Sequence, residues 1–317
     1  MTTLENSLFE YDPEDAKKQY KKAVVDHNIK KARRLIVEKK ISVTGFIGWL
    51  GGKKRMSKEL IGIMPNHEFY VEIFMGSAAV FFAKPKARFN IINDINNNLV
   101  DLYNVVSNFG EEFDNFLFLI ANFLKSREQF ESFKKTYGSK KYHELPRYER
   151  AAIFYYLNVH TFNNDMAVME FTHKWKDFTK TLCAQLILSR DKLTNTIVEN
   201  MSYVDLIKKY NQKKRNVLFF ADPPYVVADS GIYYEYVFDE DDHRFMAFQM
   251  KEIDRKGNKF IITYDDHPLI RELYKDFNVM EWEYTYSAAN LNAGKKKQME
   301  LVITNTTANK QGNLFNF

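Results

Sequence analysis

Four consecutive residues, Asp222-Pro223-Pro224-Tyr225, combine reactive side chains with a stiff backbone. They follow an apolar run, residues 216–221, that has the composition of a strand. Two prolines cannot continue a central strand, and Pro224 holds Pro223 in an extended conformation. Because ligands of open α/β sheets bind at the carboxyl ends of strands, the motif predicts a carboxylate, fixed carbonyls and an aromatic ring at a binding edge. The alternative is a surface turn with a buried tyrosine.

A second candidate site is a glycine turn that is followed, one strand later, by an acid. Gly76 comes after the short apolar run 69–74, and a glycine there lets the backbone approach a ligand without a Cβ atom. Asp94 lies 18 residues further on, at the end of a second predicted strand. In dinucleotide-binding folds, an acid near this spacing hydrogen-bonds ribose hydroxyls. The alternative is that Asp94 caps a helix that begins at Asn96.

The composition is that of a globular protein with a sizeable core. The 317 residues are 45% hydrophobic and 15% aromatic, which excludes disorder for most of the chain. The single cysteine, Cys183, excludes a disulfide scaffold and a cysteine metal cluster, and it suits a reducing cytoplasm. The most apolar stretch, residues 113–124, is too short to span a membrane. The net charge of +5 allows a polyanionic partner without requiring one.

Predicted strands and helices alternate on both sides of a helical middle segment. This alternation predicts an α/β fold with a mostly parallel sheet covered on both faces, in which a final hairpin makes one strand antiparallel. The predicted domains are a basic helical extension at 1–40, a catalytic domain at 41–110 and 196–305, a helical target-recognition domain at 111–195, and a flexible tail at 306–317.

The N-terminal extension is rich in positive charge. Between Lys17 and Lys40 there are ten lysines or arginines and only two acids, Asp26 and Glu38. Such a segment is either a solvated helix packed on one face or an arm that contacts phosphates.

Four motifs in the order found here resemble those of the Dam-type DNA adenine N6-methyltransferases. Asp222-Pro223-Pro224-Tyr225 is similar to their catalytic motif, and residues 46–53, Phe-Ile-Gly-Trp-Leu-Gly-Gly-Lys, to their N-terminal cofactor motif. Residues 71–77 resemble the first-strand motif, and residues 93–96 the acidic turn after strand two. The resemblance covers about residues 43–305 and implies a Rossmann-like methyltransferase sheet. The chain departs from the pattern at Ile73, at Ala78 and at residues 164–166, where the family usually has a proline, a glycine and a turn containing glycine.

The resemblance implies methyl transfer from S-adenosylmethionine to adenine N6, without a metal. Its catalytic residues would be Asp222, Pro223, Pro224 and Tyr225, with the tyrosine stacked on a flipped-out base. Its cofactor-binding residues would be Trp49, Lys53, Glu72, Phe74, Gly76, Asp94 and Asp222. Structural alternatives exist for three of these, because Trp49 is a candidate core residue, Glu72 a candidate turn cap and Lys53 a candidate exposed charge.

We expect DNA contacts from the helical insertion and from the turn between the last two strands. Amide and basic side chains read base edges and phosphates, so the candidates are Arg147, Asn158, Asn163, Lys174, Lys295, Lys296 and Lys297. The three consecutive lysines have an alternative role as a charged turn that blocks pairing at a sheet edge. The expected partner is double-stranded DNA, bound by a monomer.

The tail contains a segment, Gln311-Gly312-Asn313-Leu314-Phe315, that resembles the peptide by which proteins bind bacterial DNA sliding clamps. The alternative is a tail that tucks Phe315 or Phe317 onto the domain. Together these features predict a site-specific DNA adenine N6-methyltransferase in the cytoplasm of a bacterial or phage-infected cell, with restriction–modification among the expected settings. The other possible functions are methylation of RNA adenine or of a protein glutamine, and DNA binding by a protein that has lost its cofactor.

Overall fold

Seven strands form one sheet through the centre of the computed structural model, which describes residues 13–108, 110–166, 169–172, 182–213, 215–226, 238–286 and 296–306. The strands are β1 (Phe69–Glu72), β2 (Phe89–Asn93), β3 (Thr196–Glu199), β4 (Val217–Ala221), β5 (Lys259–Asp265), β6 (Asn278–Tyr286) and β7 (Lys296–Thr304). In the sheet they follow the order β3-β2-β1-β4-β5-β7-β6.

Strands β1 to β5 are parallel, and β7 is antiparallel to both of its neighbours, β5 and β6. This arrangement confirms the predicted mostly parallel sheet with one antiparallel strand. From β1 the sheet extends through β2 and β3 on one side and through β4 and β5 on the other, so the strand order reverses between β1 and β4. Such a reversal opens the crevice where ligands of α/β sheets bind.

Helices cover both faces of the sheet. They are α1 (Pro13–Lys39), α2 (Ser57–Gly62), α3 (Ala79–Ala83), α4 (Asn97–Ser107), α5 (Glu111–Asn122), α6 (Arg127–Tyr137), α7 (Lys140–Glu144), α8 (Arg147–His160), α9 (Cys183–Leu193), α10 (Tyr203–Tyr210), α11 (Glu240–Arg255) and α12 (Pro268–Leu273), with a 3-10 turn at Phe162–Asn164. Side chains alternate along each strand, so Tyr70 joins the core under α3, α4, α5, α8 and α9, whereas Val71 joins the core under α10, α11 and α12. None of the described helices combines the length and the apolar character needed to cross a membrane.

Strand β3 is an element that the sequence analysis missed. It has only four residues and lies at the edge of the sheet, where it pairs with β2 alone. Ile197 is 49% exposed, and the strand lacks the continuous apolar run that marks β4. A short, half-exposed edge strand therefore has little sequence signal to distinguish it from the end of the helix before it.

The helical insertion shares a core with the catalytic sheet. Helices α5 and α8 pack against α4, and Phe113 and Phe154 belong to the same buried cluster as Tyr70 of β1. A smaller cluster around Phe130 and Tyr142 belongs to the insertion alone. The predicted division at residue 110 therefore runs through continuous packing, and the separate recognition domain remains a prediction.

The basic N-terminal segment forms one long helix that packs on the insertion side of the molecule. Helix α1 contacts α9 and α5, with Val25 and Ala32 buried against them. The ring of Tyr20 meets that of Phe118 edge-on, at 6.2 Å between centroids. The predicted helix packed on one face is thus present, and its outer surface is left to the charged residues.

Candidate active site

Strand β4 ends at Ala221, and Asp222 begins the rigid corner that the sequence predicts. All five residues of β4 are buried between β1 and β5. The N–H of Ile73, just after β1, donates to the carbonyl of Phe220 at 2.9 Å, so the chain leaves both strands at the same level. Asp222 therefore stands at the crevice where the strand order reverses.

Two donor groups, which make three contacts, hold the Asp222 carboxylate in a fixed orientation. The ammonium of Lys53 lies 2.8 Å from Oδ1 and 2.9 Å from Oδ2, and the hydroxyl of Thr263 donates to Oδ1 at 2.7 Å. The Lys53 side chain is 5% exposed and that of Asp222 is 18% exposed. A largely enclosed ion pair of this kind fixes the geometry of both partners.

Tyr225 closes the corner through a second carboxylate, that of Glu300 on β7. The tyrosine hydroxyl donates to Glu300 Oε1 at 2.9 Å, and its ring centroid lies 5.0 Å from the Lys53 ammonium. Glu300 is buried, and this loss of solvent raises the pKa of its carboxyl, while the nearby Lys53 charge lowers it. The corner thus contains two carboxylates and one ammonium.

The turn after β1 forms a cradle beside the same edge. Gly76 has a φ of +45°, a left-handed conformation that favours glycine. A Cβ atom on Gly76 would lie 2.8 Å from Cδ1 of Trp49, so the indole depends on the missing side chain for its position. The Gly76 N–H donates to Oδ2 of Asp94 at 3.0 Å, which joins the turn to the end of β2.

Asp94 links two backbone segments rather than capping the next helix. Its carboxylate accepts hydrogen bonds from the N–H groups of Gly76 and Asn96, both at 3.0 Å. Helix α4 begins at Asn97, and its N-cap is Asn96, whose side chain accepts from Leu99 N–H. The helix-cap alternative for Asp94 is therefore wrong. Desolvation raises the pKa of the Asp94 carboxyl, and these backbone donors lower it.

Glu72 points into the protein at the end of β1. Its Oε2 accepts from the hydroxyl of Tyr70 at 2.6 Å and from the N–H of Phe81 at 3.0 Å. Burial raises the pKa of this carboxyl to about 8. The bond to Phe81 satisfies a free N–H in the first turn of α3, so Glu72 supports the turn that carries Gly76.

The chain matches the D12 class N6 adenine-specific DNA methyltransferase family over residues 49–288. The chain belongs to this family. It is 26% identical over 286 residues to the Type II methyltransferase M1.LlaDCHI of Lactococcus lactis subsp. cremoris, a match that covers 86% of this chain and 98% of the relative. It is 24% identical over 267 residues to the DNA adenine methylase of Escherichia coli K12, covering 81% and 93% of the two chains.

Membership in the D12 class settles the substrate and the donor. The protein transfers a methyl group from S-adenosylmethionine to N6 of adenine in DNA. This confirms the predicted enzyme and decides between DNA adenine and the RNA or glutamine substrates that the sequence left open. Because the match includes both the segment around Trp49 and the corner at Asp222, cofactor and target motifs occur in the order predicted.

The edge of this methyltransferase fits S-adenosylmethionine by its shape and by its donors and acceptors. Gly76 lets the half-buried Trp49 indole lie directly against the turn, which places an aromatic ring at this edge. Asp94 places a carboxylate at the end of β2, as ribose recognition requires. The ring of Phe74 is half-buried and packs on Tyr203 at 5.9 Å, on the other side of the turn.

The residues expected to contact DNA lie in different environments. The side chain of Asn158 is 0% exposed and donates to the carbonyl of Gly48 at 2.9 Å, so its assignment as a DNA reader is wrong. Arg147 is partly exposed and donates from Nε to Glu112 Oε1 at 3.1 Å. The remaining candidates have side chains outside the described part of the chain: Asn163, Lys174, Lys295, Lys296 and Lys297.

Two departures from the family pattern have visible consequences. Ala78, where the family usually has glycine, adopts a φ of 48° and is fully buried. A left-handed alanine costs about 1–2 kcal/mol, which explains why glycine suits this position. Asn164 has a φ of 58°, and its amide donates to the Asn158 carbonyl at 2.7 Å, so the altered turn is tied to the end of α8.

Two residues of the corner escaped the sequence analysis, Thr263 and Glu300. Thr263 is on β5, and it reaches Asp222 because β5 pairs with β4. Glu300 is on β7, and it reaches Lys53 and Tyr225 because β7 pairs with β5. A sequence signal existed for Glu300, since it is a lone acid at the start of the apolar run 301–303. A charge in such a strand is rarely buried unless it has a partner.

Proposed function

We propose that Asp222 and the carbonyl of Pro223 accept hydrogen bonds from the N6 amino group of the target adenine. This nitrogen is a poor nucleophile, because its lone pair is delocalised into the purine ring. Two acceptors on the amino hydrogens favour a geometry in which the lone pair is directed at the methyl group. The observation that carries the proposal is the Asp222 carboxylate, held by Lys53 and Thr263 at the crevice between β1 and β4.

The negative charge of Asp222 stabilises the positive charge that grows on N6 during transfer. One placed electrostatic group of this kind contributes about 3–4 kcal/mol to the transition state. When bound, S-adenosylmethionine supplies the methyl group: the N6 lone pair bonds to the methyl carbon while the carbon–sulfur bond breaks, and its electron pair stays on sulfur. N6 then releases one proton and becomes a neutral methylamino group.

Tyr225 stacks against the target base after the base leaves the duplex. A base that is paired inside a helix is out of reach of the corner, and extrusion costs a few kcal/mol. Stacking on an aromatic ring contributes about 1–3 kcal/mol and offsets part of this cost. The hydroxyl bond to Glu300 supports this role, because it holds the ring at the open side of the corner.

The cofactor would lie along the carboxyl ends of β1 and β2. Gly76 and Trp49 form the cradle, Asp94 hydrogen-bonds the ribose, and Phe74 contacts the base of the cofactor. Lys53 and Glu72 act at the boundary with the corner, where Lys53 pairs with Asp222 and Glu72 supports the glycine turn. These roles are supported by the fit of the edge described above.

The proposal has three further parts. The insertion recognises the target sequence, a monomer binds double-stranded DNA, and Gln311–Phe315 docks on a sliding clamp. The clamp segment lies outside the described residues, as do most of the candidate DNA contacts. The name of the Lactococcus relative, a Type II methyltransferase, supports a modification role in a restriction–modification setting. We place the protein in the cytoplasm of a bacterial or phage-infected cell, because its substrate is DNA.

Mapping of modified adenines in DNA from cells that express the protein tests the function and identifies the recognition sequence. With the purified protein, we expect Asp222→Ala to lower methylation of unmodified genomic DNA at least about 100-fold, as expected for the loss of one electrostatic group. Asp276→Ala, which removes an exposed carboxylate just before β6, is the control and should act like the wild type. Near-normal methylation by Asp222→Ala would refute the assigned mechanism.

A further inference from the structure

Glu300 is a second buried carboxylate in the corner, and the proposed mechanism uses it only to hold the hydroxyl of Tyr225. It pairs in register with Asp265 of β5, and its side chain is 5% exposed. Its Oε1 accepts from Tyr225 at 2.9 Å and lies 3.7 Å from the Lys53 ammonium. Its Oε2 is buried and has no hydrogen-bond partner within the described part of the chain.

Lys53 and Thr263 together take up three of the acceptor positions of Asp222, the residue that the target adenine is proposed to use. The ammonium contacts both carboxylate oxygens, and Thr263 occupies a further position on Oδ1. A carboxylate offers about four lone-pair positions in all. An ammonium in contact with it also opposes the positive charge that grows on N6. The adenine amino group can therefore use Asp222 fully only after Lys53 withdraws.

Glu300 offers the ammonium a place to withdraw to. A movement of about 1 Å would bring the Lys53 nitrogen to charge-assisted hydrogen-bond distance from Glu300 Oε1. A shift of this size is compatible with the bond that Lys53 donates to the Gly51 carbonyl, now at 2.8 Å. The positive charge stays paired inside the protein throughout, which avoids the penalty for an isolated buried charge.

We propose that Glu300 is a positioning residue that receives the Lys53 ammonium when the target adenine binds, and so frees Asp222 for the N6 amino group. The same carboxylate holds the Tyr225 hydroxyl, so departure of the lysine and alignment of the stacking ring are coupled through one side chain. The inference rests on the proposed role of Asp222.

The first test is Glu300→Gln, which keeps the shape and an oxygen for Tyr225 but removes the charge that attracts Lys53. We expect the single-turnover methylation rate on unmodified genomic DNA to fall by about 30-fold, as for the loss of one charge-assisted hydrogen bond. Affinity for S-adenosylmethionine, measured by titration calorimetry, should stay within about twofold of the wild type, because Glu300 is on β7 and the proposed cofactor edge lies at the ends of β1 and β2. Glu283→Gln, an exposed change on the neighbouring strand, is the matched control and should leave both values unchanged.

A double-mutant cycle with Lys53→Met separates this role from a structural one. Without the ammonium there is nothing for Glu300 to receive, so adding Glu300→Gln should cost no more than about threefold. Equal fold-losses in both backgrounds, or a wild-type rate in Glu300→Gln, would overturn the inference. A wild-type rate in Glu300→Gln is the result expected if Lys53 withdraws to the carboxylate of the cofactor instead of to Glu300. An active Asp222→Ala variant would instead defeat the proposed function itself.

Discussion

The side-chain amide of Asn158, in helix α8, donates to the backbone carbonyl of Gly48 at 2.9 Å. These residues are 110 positions apart, and the bond joins the helical insertion to the loop that carries Trp49 and Lys53. A Cβ atom on Gly48 would overlap the amide of Asn164, which itself donates to the Asn158 carbonyl. The insertion and the cofactor loop are therefore built as one unit.

We expect Asn158→Ala to loosen this unit. The substitution leaves the partly buried carbonyl of Gly48 without its donor, so the free energy of unfolding should fall by about 1–3 kcal/mol. Affinity for S-adenosylmethionine should also fall, because the loop that ends at Lys53 loses its anchor. Denaturant unfolding and titration calorimetry measure the two effects. Asn122→Ala removes an exposed amide bonded to the Phe118 carbonyl and should change neither value, so equal behaviour of the two variants would contradict the linkage.

A pair of glycine substitutions tests whether the Gly76 cradle binds the cofactor. Gly76 and Gly257 both have positive φ, at +45° and +79°, so an alanine costs about 1–2 kcal/mol of backbone strain at either site. Only at Gly76 would the new methyl meet Trp49, since open space surrounds the Cβ position at Gly257.

We therefore expect Gly76→Ala to weaken binding of S-adenosylmethionine at least about tenfold, while Gly257→Ala binds it normally and loses only the stability that backbone strain costs. Calorimetric titration and thermal unfolding of both variants check this prediction. Normal cofactor affinity in Gly76→Ala would show that the cradle lies elsewhere.

The parts of the site that could be predicted are those encoded locally. A buried strand followed by two prolines determines where Asp222 and Tyr225 leave the sheet, whatever the rest of the chain does. Gly76 was predictable for the same reason, because a glycine directly after a strand indicates a tight turn. Lys53 could be placed in the site only through the family resemblance, and its bond to Asp222 appears only in the fold.

The parts that could not be predicted depend on register between distant segments. Glu300 lies 75 residues after Tyr225, and their bond requires the pairing of β7 with β5. Asn158 was assigned to DNA because amides read bases, yet residues 151–160 are all buried, with no exposed face to offer. Whether a polar side chain on a buried helix faces a loop or a ligand is decided by packing, which local sequence does not encode.

Stability should decrease with rising pH because of Glu72. Burial raises the pKa of this carboxyl to about 8 from an ordinary value of 4.5. Between these values the unfolded chain has released a proton that the folded chain still holds, so the contribution is complete below the ordinary value and is lost as pH rises through about 8. Burial lowers the pKa of Lys84 to about 8 from 10.5, so Lys84 changes the pH dependence of stability only above about pH 8.

Glu72→Gln cannot ionise and retains an oxygen for Tyr70 and Phe81. We expect the variant to lose part of the decline in unfolding free energy between pH 5 and 8, a difference of up to a few kcal/mol. Urea unfolding at a series of pH values measures this difference. Glu68→Gln, an exposed change next to β1, should keep the wild-type dependence. If the unfolding free energy of Glu72→Gln depends on pH as that of the wild type does, another group is responsible for the decline.

The outer face of helix α1 should contact the phosphates of DNA. Four of its exposed cations have no ion-pair partner among the described residues: Lys22, Lys30, Lys31 and Arg33. Val25 and Ala32 hold the opposite face in the core, so changes at the exposed positions leave the packing intact. Replacing all four with glutamine should weaken DNA binding and reduce the slope of log K against log salt concentration by up to about 0.9 for each lost contact.

A control with the same change of charge separates phosphate contact from a general effect of net charge. The control carries glutamine at four exposed cations on α10, on α11 and just after α12, on the other face of the sheet: Lys208, Lys251, Arg255 and Lys275. Both variants lower the net charge equally, so long-range attraction to DNA falls in both. Only the α1 variant removes cations that displace counterions from the DNA on binding. Only this variant should therefore change the slope of log K against log salt concentration. If the two variants show equal slopes of log K against log salt concentration, α1 is only a solvated helix packed on one face.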